Sequence, residues 1–410
     1  MFHGYRRNLA EYESLRFRVA APPRNAPGSQ QKPAVAPPDQ PFRVGVFTTE
    51  DNDYDQTLTM TAALQQYPTY TVTPNGWSRG FWFLITAATV GNAATTAFAA
   101  DAPFNAAFQI KLTDVGGREI FGPLGGYDWM TTVKLGAYQN VGDPRADPVF
   151  SVTSGGGGTG GSFTMCLYLP LEVVNRDALG AVENKSSSST FKIYLTLNTG
   201  AAVYTTAPTA LPPVRVRILS DGYTEPDATD AMGRTLAQGP PAAGSVQYWT
   251  NENLAQNAGN FTYNITTGLG YPIRMIIVKI LDGSNTRSGG DANWPDPATF
   301  KLGKVQLFQR YKQFWISRMA KTYGFFPKDV NGATLTVDGG LVRENGVFPI
   351  WMNQDFDLAP GSELRNGYLV TKTGNVLQLT GALGGSGTVF MTVNYVIPVN
   401  KDAASLRAGK

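Results

Sequence analysis

The chain has 410 residues, of which 42% are hydrophobic and 11% aromatic, so it carries enough apolar side chains for a large core and is not expected to be disordered. Only 16% of the residues are charged and the formal net charge is +3, which excludes a protein that binds nucleic acid over its whole surface. The 45 glycines and 27 prolines indicate many turns between strands. The low charge also indicates a surface partly covered by partners.

The chain contains one histidine, His3, and one cysteine, Cys166. This excludes an intramolecular disulfide and a cysteine metal cage. A Ser-His-Asp triad, a Cys-His pair or a histidine-ligated zinc site would each need His3, which lies near a terminus that we expect to be mobile. We therefore predict no catalytic residue, no metal ligand and no cofactor.

Residues 1–41 are predicted to form an arm that reaches away from the body. Apolar residues recur near one face of a short amphipathic helix over residues 1–20, and four arginines add positive charge: Arg6, Arg7, Arg16 and Arg18. Residues 20–41, AAPPRNAPGSQQKPAVAPPDQP, are rich in proline and should be extended. A basic segment on such a tether is predicted to lie on an anionic membrane or to dock on a neighbouring subunit. The N-terminal residues lack the apolar core of a signal peptide, so secretion is not indicated.

From about residue 42 the chain becomes a succession of strand-like runs separated by turn residues. Ten runs are predicted as strands: Thr69–Thr73, Phe81–Val90, Phe108–Leu112, Phe163–Val173, Phe191–Leu197, Val214–Leu219, Phe261–Thr266, Ile273–Leu281, Ala333–Val337 and Val389–Val399. Residues 81–100 are uncharged, but they include Gly91, Asn92 and four threonines, so a buried strand followed by a loop is favoured over a membrane span. The body is predicted to be mainly β, with sandwich architecture.

One pattern occurs twice, at an offset of 193 residues. TYTVT at Thr69–Thr73 is followed by a glycine-containing turn and FWFLI, and TYNIT at Thr262–Thr266 is followed by two glycines and RMIIV. Two tandem β-units are the interpretation we favour, and chance similarity between Thr-rich strands is the alternative. The predicted boundaries are 42–220 for the first unit, 221–244 for a polar linker, 245–400 for the second unit and 401–410 for a C-terminal tail.

The glycine-rich run SGGGGTGGS, Ser154–Ser162, has the spacing of a phosphate-binding loop. A triphosphate loop needs a lysine before its Ser or Thr, and Gly161 stands there instead. Nucleotide-binding loops also need a helix directly after the glycines, whereas Phe163–Val173 reads as a strand. A flexible loop between strands is therefore favoured.

Three other patterns resemble sites. Residues 50–55, EDNDYD, resemble the start of a calcium loop but lack its glycine and its last glutamate, so a solvated acidic turn is favoured. Asp221 and Glu225 belong to an acidic group in the predicted linker, where a metal site would lack support. The window Leu307–Lys321, LFQRYKQFWISRMAK, suits nucleic-acid binding, but its aromatic residues recur at helical spacing and favour a half-buried helix or a subunit contact. No spacing among the 31 acids singles out a glycosidase pair, and the dispersed tryptophans are expected in the core or an interface.

Residues 167–199, LYLPLEVVNRDALGAVENKSSSSTFKIYLTLNT, resemble the major capsid proteins of tailless icosahedral double jelly-roll viruses, especially tectivirus-like phages. In these proteins a strand ending in Leu-Pro-Leu-Glu leads into an Asp-Ala-Leu-Gly-Ala connection, a Ser-rich turn and another strand. The matching residues are Leu169, Pro170, Leu171, Glu172, Asp177, Leu179, Gly180, Ala181 and Phe191–Leu197. Residues 69–88 are similar to the first strand pair of such a jelly roll, and their echo near Thr262 fits the second.

The resemblance implies two tandem eight-stranded jelly-roll sandwiches, with short helices in loops and an extended N-terminal arm. It implies a structural, non-enzymatic capsid protein that homotrimerises into pseudo-hexameric capsomers tiling an icosahedral shell, around an internal membrane and double-stranded DNA. The implied partners are further copies of the chain, neighbouring capsomers, minor capsid or penton proteins and the internal membrane, without specific nucleic-acid recognition. The implied location is the virion, after assembly in the host cytoplasm.

Two other classes of function stay open on the sequence alone. One is a β-sandwich spike of a virus that binds a receptor or carbohydrate. The other is a β-rich hydrolase.

Overall fold

The computed structural model describes ten stretches of the chain: 47–74, 76–89, 95–139, 160–173, 180–188, 190–225, 245–287, 289–324, 343–352 and 368–398. All of them belong to one compact unit. The predicted arm, the strand predicted at Ala333–Val337 and the C-terminal tail lie outside these stretches.

The described residues form strands through most of their length. The strands of the first half are β1 (Thr48–Thr59), β2 (Gln65–Gln66), β3 (Tyr70–Thr71), β4 (Gly76–Ala87), β5 (Ala97–Phe98), β6 (Ala107–Thr113), β7 (Glu119–Leu124), β8 (Phe163–Pro170), β9 (Val182–Asn184), β10 (Lys192–Leu197), β11 (Tyr204–Thr206) and β12 (Pro213–Tyr223). Those of the second half are β13 (Ser245–Gln256), β14 (Gly259–Ile265), β15 (Pro272–Asp282), β16 (Ala298–Leu302), β17 (Val305–Arg310), β18 (Val347–Trp351), β19 (Leu369–Val370), β20 (Leu377–Leu383) and β21 (Gly387–Pro398). The helices are α1 (Gly126–Leu135), α2 (Gly200–Val203), α3 (Gly290–Asn293), α4 (Lys312–Tyr323) and a 3-10 turn, Phe104–Ala106.

The first lobe runs from β1 to β12 and contains two main antiparallel sheets, besides the small pair of β5 and β11. One sheet has the order β1-β12-β4-β8, and the strands of the other are ordered β2-β10-β6-β7, with β3 also pairing β10. The eight main strands, in chain order, are β1, β2 together with β3, β4, β6, β7, β8, β10 and β12. If these are numbered 1 to 8, the two sheets have the orders 1-8-3-6 and 2-7-4-5. This is the arrangement of a jelly roll, in which two Greek keys form a double-layered sandwich.

The second lobe runs from β13 to β21 and repeats this arrangement. Its sheets have the orders β13-β21-β15-β18 and β14-β20-β16-β17, which are again 1-8-3-6 and 2-7-4-5. The prediction of a mainly β chain with two tandem eight-stranded jelly rolls is therefore confirmed. The two echoed segments contribute strands at the same positions, because β3 and β14 are second strands and β4 and β15 are third strands.

The two lobes share one continuous sheet of ten strands. β7, at the edge of the first lobe, pairs in parallel with β13 of the second, and Phe121 and Trp249 are the registered partners. Every residue of Pro272–Ile280 in β15 is buried, so both faces of this part of the sheet are covered. This explains why β15 is a continuous apolar run, whereas β12 alternates between buried Val214 and Val216 and outward-facing arginines.

Two segments that the sequence predicts as a turn and as a linker belong to strands. Residues 50–55, predicted as a solvated acidic turn, belong to β1 and pair with β12, with a bulge between Asp51 and Tyr54. Asp221, assigned to the linker, lies within β12 and pairs with Glu50. These strands are polar because β1 is an edge strand and mostly exposed, so it lacks the apolar alternation from which strands are recognised.

Candidate functional site

The arginines singled out by the sequence, Arg6, Arg7, Arg16 and Arg18, lie outside the described residues. The described end of the glycine-rich run is a turn at Gly160 and Gly161, and β8 begins at Phe163 without an intervening helix. The Thr89 amide donates to the buried Ser162 hydroxyl over 2.9 Å, which anchors this turn inside the lobe. Residues 154–159 of the run lie outside the described residues; from Gly160 onward the interpretation as a loop leading into a strand is confirmed, and no helix follows the glycines there.

Two acidic residues of β1, Asp53 and Asp55, are engaged in side-chain contacts. The Asp53 carboxylate accepts hydrogen bonds from the Tyr70 hydroxyl, at 2.5 Å, and from Thr73. Asp55 pairs with Arg215, and this hydrogen bond holds the pKa of Asp55 below its usual value. Across the described stretches, no group of three or more potential metal-ligating side chains comes together.

The window Leu307–Lys321 divides into the end of β17 and the helix α4. Trp315, Met319 and Tyr323 are the buried residues of α4, so the predicted half-buried helix is confirmed from residue 312 onward. Trp294 and Trp315 pack edge to face, with ring centroids 5.4 Å apart. The predicted core position of the tryptophans is confirmed for the four that are fully buried: Trp129, Trp249, Trp294 and Trp315.

Of residues 81–100, the structure describes 81–89 and 95–100. β4 takes up their first part as a largely buried strand, as predicted. In the part of the chain that the structure describes, no helix has the length and apolar character needed to cross a bilayer.

A set of buried polar contacts joins the two lobes. We call this set the seam; it consists of Tyr127, Asp128 and Lys134 from α1, and Lys279, Arg287 and Glu344 from the second lobe. All ten residues of α1 are buried, although α1 carries an acid and a lysine. Its position depends on Gly126, because a Cβ atom there would lie 1.9 Å from the Phe104 carbonyl oxygen.

Two ion pairs and one hydrogen bond of the seam cross between the lobes. The Lys279 ammonium lies 2.5 Å from the Asp128 carboxylate, and the Lys134 ammonium lies 3.1 Å from that of Glu344. The Tyr127 hydroxyl donates to Glu344 over 2.8 Å. Burial, reinforced by Glu344, raises the pKa of Tyr127 well above its usual value. The hydroxyl therefore stays protonated and remains a donor.

Arg287 lies at the other end of the seam. Its guanidinium is 2.7 Å from the Asp101 carboxylate and 3.9 Å from the centre of the Tyr127 ring. Burial alone would lower the pKa of Arg287, but Tyr127, Asp101 and Glu344 together raise it. Buried pairs of this kind contribute little net stability but penalise any other arrangement, because a displaced partner leaves a buried charge. We infer that the seam fixes one relative orientation of the two lobes.

Gln247 on β13 connects the lobes beyond the end of α1. Its amide oxygen accepts from the Tyr138 hydroxyl at 2.8 Å, and its amide nitrogen donates to the carbonyls of Leu171 and Glu172 at 3.2 and 3.1 Å. Arg274 donates to the Gly136 carbonyl over 3.0 Å. Backbone groups left at the end of α1 and β8 are thus satisfied by side chains of the second lobe.

The last residue of the Leu-Pro-Leu-Glu motif, Glu172, forms buried contacts beside Gln247. Glu172 is almost fully buried, 2.7 Å from the Arg79 guanidinium, and accepts a hydrogen bond from the Tyr223 hydroxyl at 2.9 Å. Arg79 also lies 3.3 Å from Asp221. Burial raises the pKa of Asp221, and Arg79 opposes that rise. The motif therefore carries an internal ion pair, which the sequence pattern does not reveal.

No protein-family model matches the sequence, and no significant match is found among curated proteins. The crystal structure of the major capsid protein of STIV matches with a TM-score of 0.55 and 14% identity, over 88% of this chain and 99% of that chain. The atomic structure of Sulfolobus Turreted Icosahedral Virus gives 0.56 and 14%, over 87% and 93%. The PBCV-1 virus capsid gives 0.52 and 11%, over 86% and 93%.

The fold is the double jelly roll of these viral capsid proteins. The matches extend over both lobes, in agreement with the repeated strand order. At identities of 14% and below, they concern the fold alone.

Proposed function

We propose that this chain is the major capsid protein of a tailless icosahedral virus and that it homotrimerises into pseudo-hexameric capsomers. The observation that carries the proposal is the presence of two lobes with one strand order, joined by the buried ion pairs of the seam. Three such chains present six similar lobes around one axis. A closed ring with this pseudo-symmetry tiles a shell through repeated contacts and needs no cofactor.

The role proposed here is structural. The fold shared with viral capsid proteins supports it, and the chain has a single histidine for acid–base chemistry near neutral pH. We further propose that the virion is the site of action, with assembly in the host cytoplasm, and that minor capsid or penton proteins complete the shell. An internal membrane around double-stranded DNA is part of the same proposal.

The oligomeric state of the purified protein tests this function. Native mass spectrometry is expected to give a particle of three times 44.2 kDa, and negative-stain images should show hexagonal outlines. A protein that stays monomeric at every concentration measured would overturn the proposal. A trimer that binds glycans saturably and never forms hexagonal arrays would support a spike instead.

The N-terminal arm is proposed to lock neighbouring capsomers or to contact the membrane through Arg6, Arg7, Arg16 and Arg18. Deletion of residues 1–41 should leave the trimer intact and impair shell assembly. Replacement of the four arginines by glutamine separates the two contacts. Weaker binding to anionic vesicles would indicate the membrane contact, and impaired assembly of capsomers without vesicles would indicate the contact with neighbouring capsomers. Loss of the trimer after the deletion would contradict the assignment as an arm.

A further inference from the structure

Helices α1 and α4 occupy equivalent positions, since each follows the fifth strand of its lobe. They differ in how they are covered. Four of the six residues of β7 and all ten of α1 are buried. By contrast, no residue of β17 is buried, and α4 buries only three.

The second lobe supplies part of the cover of β7 and α1, while Trp129 of α1 packs on Phe83 of its own lobe. β13, the first strand of that lobe, pairs with β7, and Lys279 and Glu344 contact α1. Within the described residues no further strand pairs with the outer edge of β17, which ends its sheet, or with the outer edge of β1, which ends another. The described sheets also end at β2, β8, β14 and β18, but β17 and β1 are a fifth and a first strand, the same two positions that pair inside the chain.

The uncovered elements of the second lobe are apolar and basic. We call them the β17–α4 surface, which comprises Val305, Leu307, Tyr311, Phe314, Arg318 and Lys321. The exposed fractions of Val305, Tyr311 and Phe314 are 62%, 57% and 62%. Leu307 and Phe121 each lie five residues before the first residue of their helix, so Leu307 is the counterpart of the residue that meets Trp249. Exposed apolar groups in such a cluster indicate a protein contact.

The free edge of the first lobe has the complementary charge. We call it the β1 edge, which comprises Phe47, Glu50 and Asp51. All three residues are exposed, Phe47 by 74%, and no described ion pair involves Glu50 or Asp51. Inside the chain, Tyr138 just beyond α1 contacts Gln247, the third residue of β13. The third residue of β1 is Glu50, so the same geometry brings the C-terminal part of α4, with Arg318 and Lys321, to this acidic end.

We propose that the β17–α4 surface of one copy docks on the β1 edge of a second copy, so that the β7–β13 contact inside the chain recurs between chains. This rests on the proposed function and assigns the surfaces that build the trimer. The contact is heterologous, with a different surface on each copy, and such contacts form a closed ring when the rotation fits. Opposite charges on the two surfaces also favour this register over the reverse one.

The proposed pairing of the β17–α4 surface with the β1 edge is tested by reversing the charges on each surface separately and then on both together. Arg318→Glu with Lys321→Glu, or Glu50→Lys with Asp51→Lys, places like charges opposite each other in every contact. Each double variant should dissociate to monomers at concentrations where the wild type is trimeric, with at least a tenfold weaker association. The quadruple variant restores opposite charges and should restore the trimer in native mass spectrometry. Rescue distinguishes a contact from a folding defect, and circular dichroism checks the fold of each variant.

A matched control carries the same change in charge elsewhere. Lys192→Glu with Lys372→Glu alters two exposed lysines outside both surfaces and should leave the trimer intact. If the double variants stay trimeric, or the folded quadruple variant stays monomeric, the assigned surfaces are wrong while the capsid role stands. If the wild type itself never associates, both proposals fall.

A photo-crosslinking residue at position 314 gives an independent measurement that does not depend on stability. A crosslinked peptide that contains residues 47–51 of a second copy supports the proposal. A crosslink to the second lobe of that copy would overturn it.

Discussion

Trp249 of the second lobe and Phe121 of the first are partners on neighbouring parallel strands, and this pair joins two sandwiches into one sheet. Both side chains are fully buried, and the Trp249 indole nitrogen donates to Gln247 over 3.1 Å. Because the registered pairing of β7 with β13 is so short, the junction depends on the packing of these rings and on the seam beside them.

Trp249→Ala is expected to lower the free energy of unfolding by about 3–5 kcal/mol, because it removes a large buried side chain and leaves a cavity at the junction. Chemical denaturation measures this loss. Leu254→Ala on the same strand is the control: Leu254 is 41% exposed, and its replacement should cost less than about 1 kcal/mol. Equal losses in the two variants would contradict the importance of the junction.

Glu344→Gln should destabilise the protein by about 3 kcal/mol, the lower end of the range for removing one partner of a buried ion pair. The substitution keeps the shape of the side chain but removes the negative charge 3.1 Å from Lys134 and 3.6 Å from Arg287. Arg287 retains Asp101, which limits the loss. Thermal unfolding compares this variant with Glu183→Gln, whose exposed carboxylate lies 3.9 Å from Lys185 and should contribute little.

Arg79→Met is expected to cost about 3–5 kcal/mol near pH 7, since it leaves Glu172 and Asp221 without their shared cation. The pKa of Asp221, which burial already raises in the wild type, should then rise further, and Glu172 becomes a buried carboxylate without a cation. The penalty is therefore present at neutral pH and shrinks as the pH falls and the carboxylates take up protons. Denaturation at several pH values tests this, and Arg215→Met at an exposed pair should show neither the cost nor the trend. A loss that does not change with pH would argue against the ion pair as its cause.

Gly126→Ala should displace α1 and cost at least about 1–3 kcal/mol, because the added Cβ atom would lie 1.9 Å from the Phe104 carbonyl oxygen. The matched control is Gly374→Ala, since a Cβ atom there meets nothing within 4 Å. Thermal unfolding should separate the two variants clearly. If Gly126→Ala left the stability unchanged, α1 would tolerate a shift away from the 3-10 turn.

Stability is expected to fall in alkaline solution as buried tyrosines lose their protons. Burial raises the pKa of Tyr54 from 10.0 to about 12 and raises those of Tyr67 and Tyr204 further. The unfolded chain loses these protons first, so stability is intact below pH 10 and is lost progressively as the pH rises toward 12. Tyrosinate absorbance should rise together with unfolding, and Tyr54→Phe should make the loss less steep. Complete titration of the tyrosines in a folded protein would contradict this.

The central strands and their repetition can be predicted from the amino-acid pattern alone. Where a strand has one face in a core, as β10 and β12 do, apolar residues alternate with polar ones, and where both faces are covered, as in β15, the run is continuous. The single histidine and single cysteine exclude several kinds of site through composition alone. The echo of Tyr70 and Tyr263 marks strands that share one position in the two lobes.

The polar edge strands, the cover of α1 and the seam follow from the three-dimensional fold and not from local pattern. β1 is recognisable as a strand only through its partner β12, and Lys134 is buried only because Glu344, more than two hundred residues away, lies beside it. A local pattern reports whether a residue prefers water, whereas an ion pair or an edge contact depends on a partner that the fold brings near. The same limit explains why α1 and α4, which follow equivalent strands, differ in the fold, where the second lobe contributes to covering α1 and most of α4 is left open.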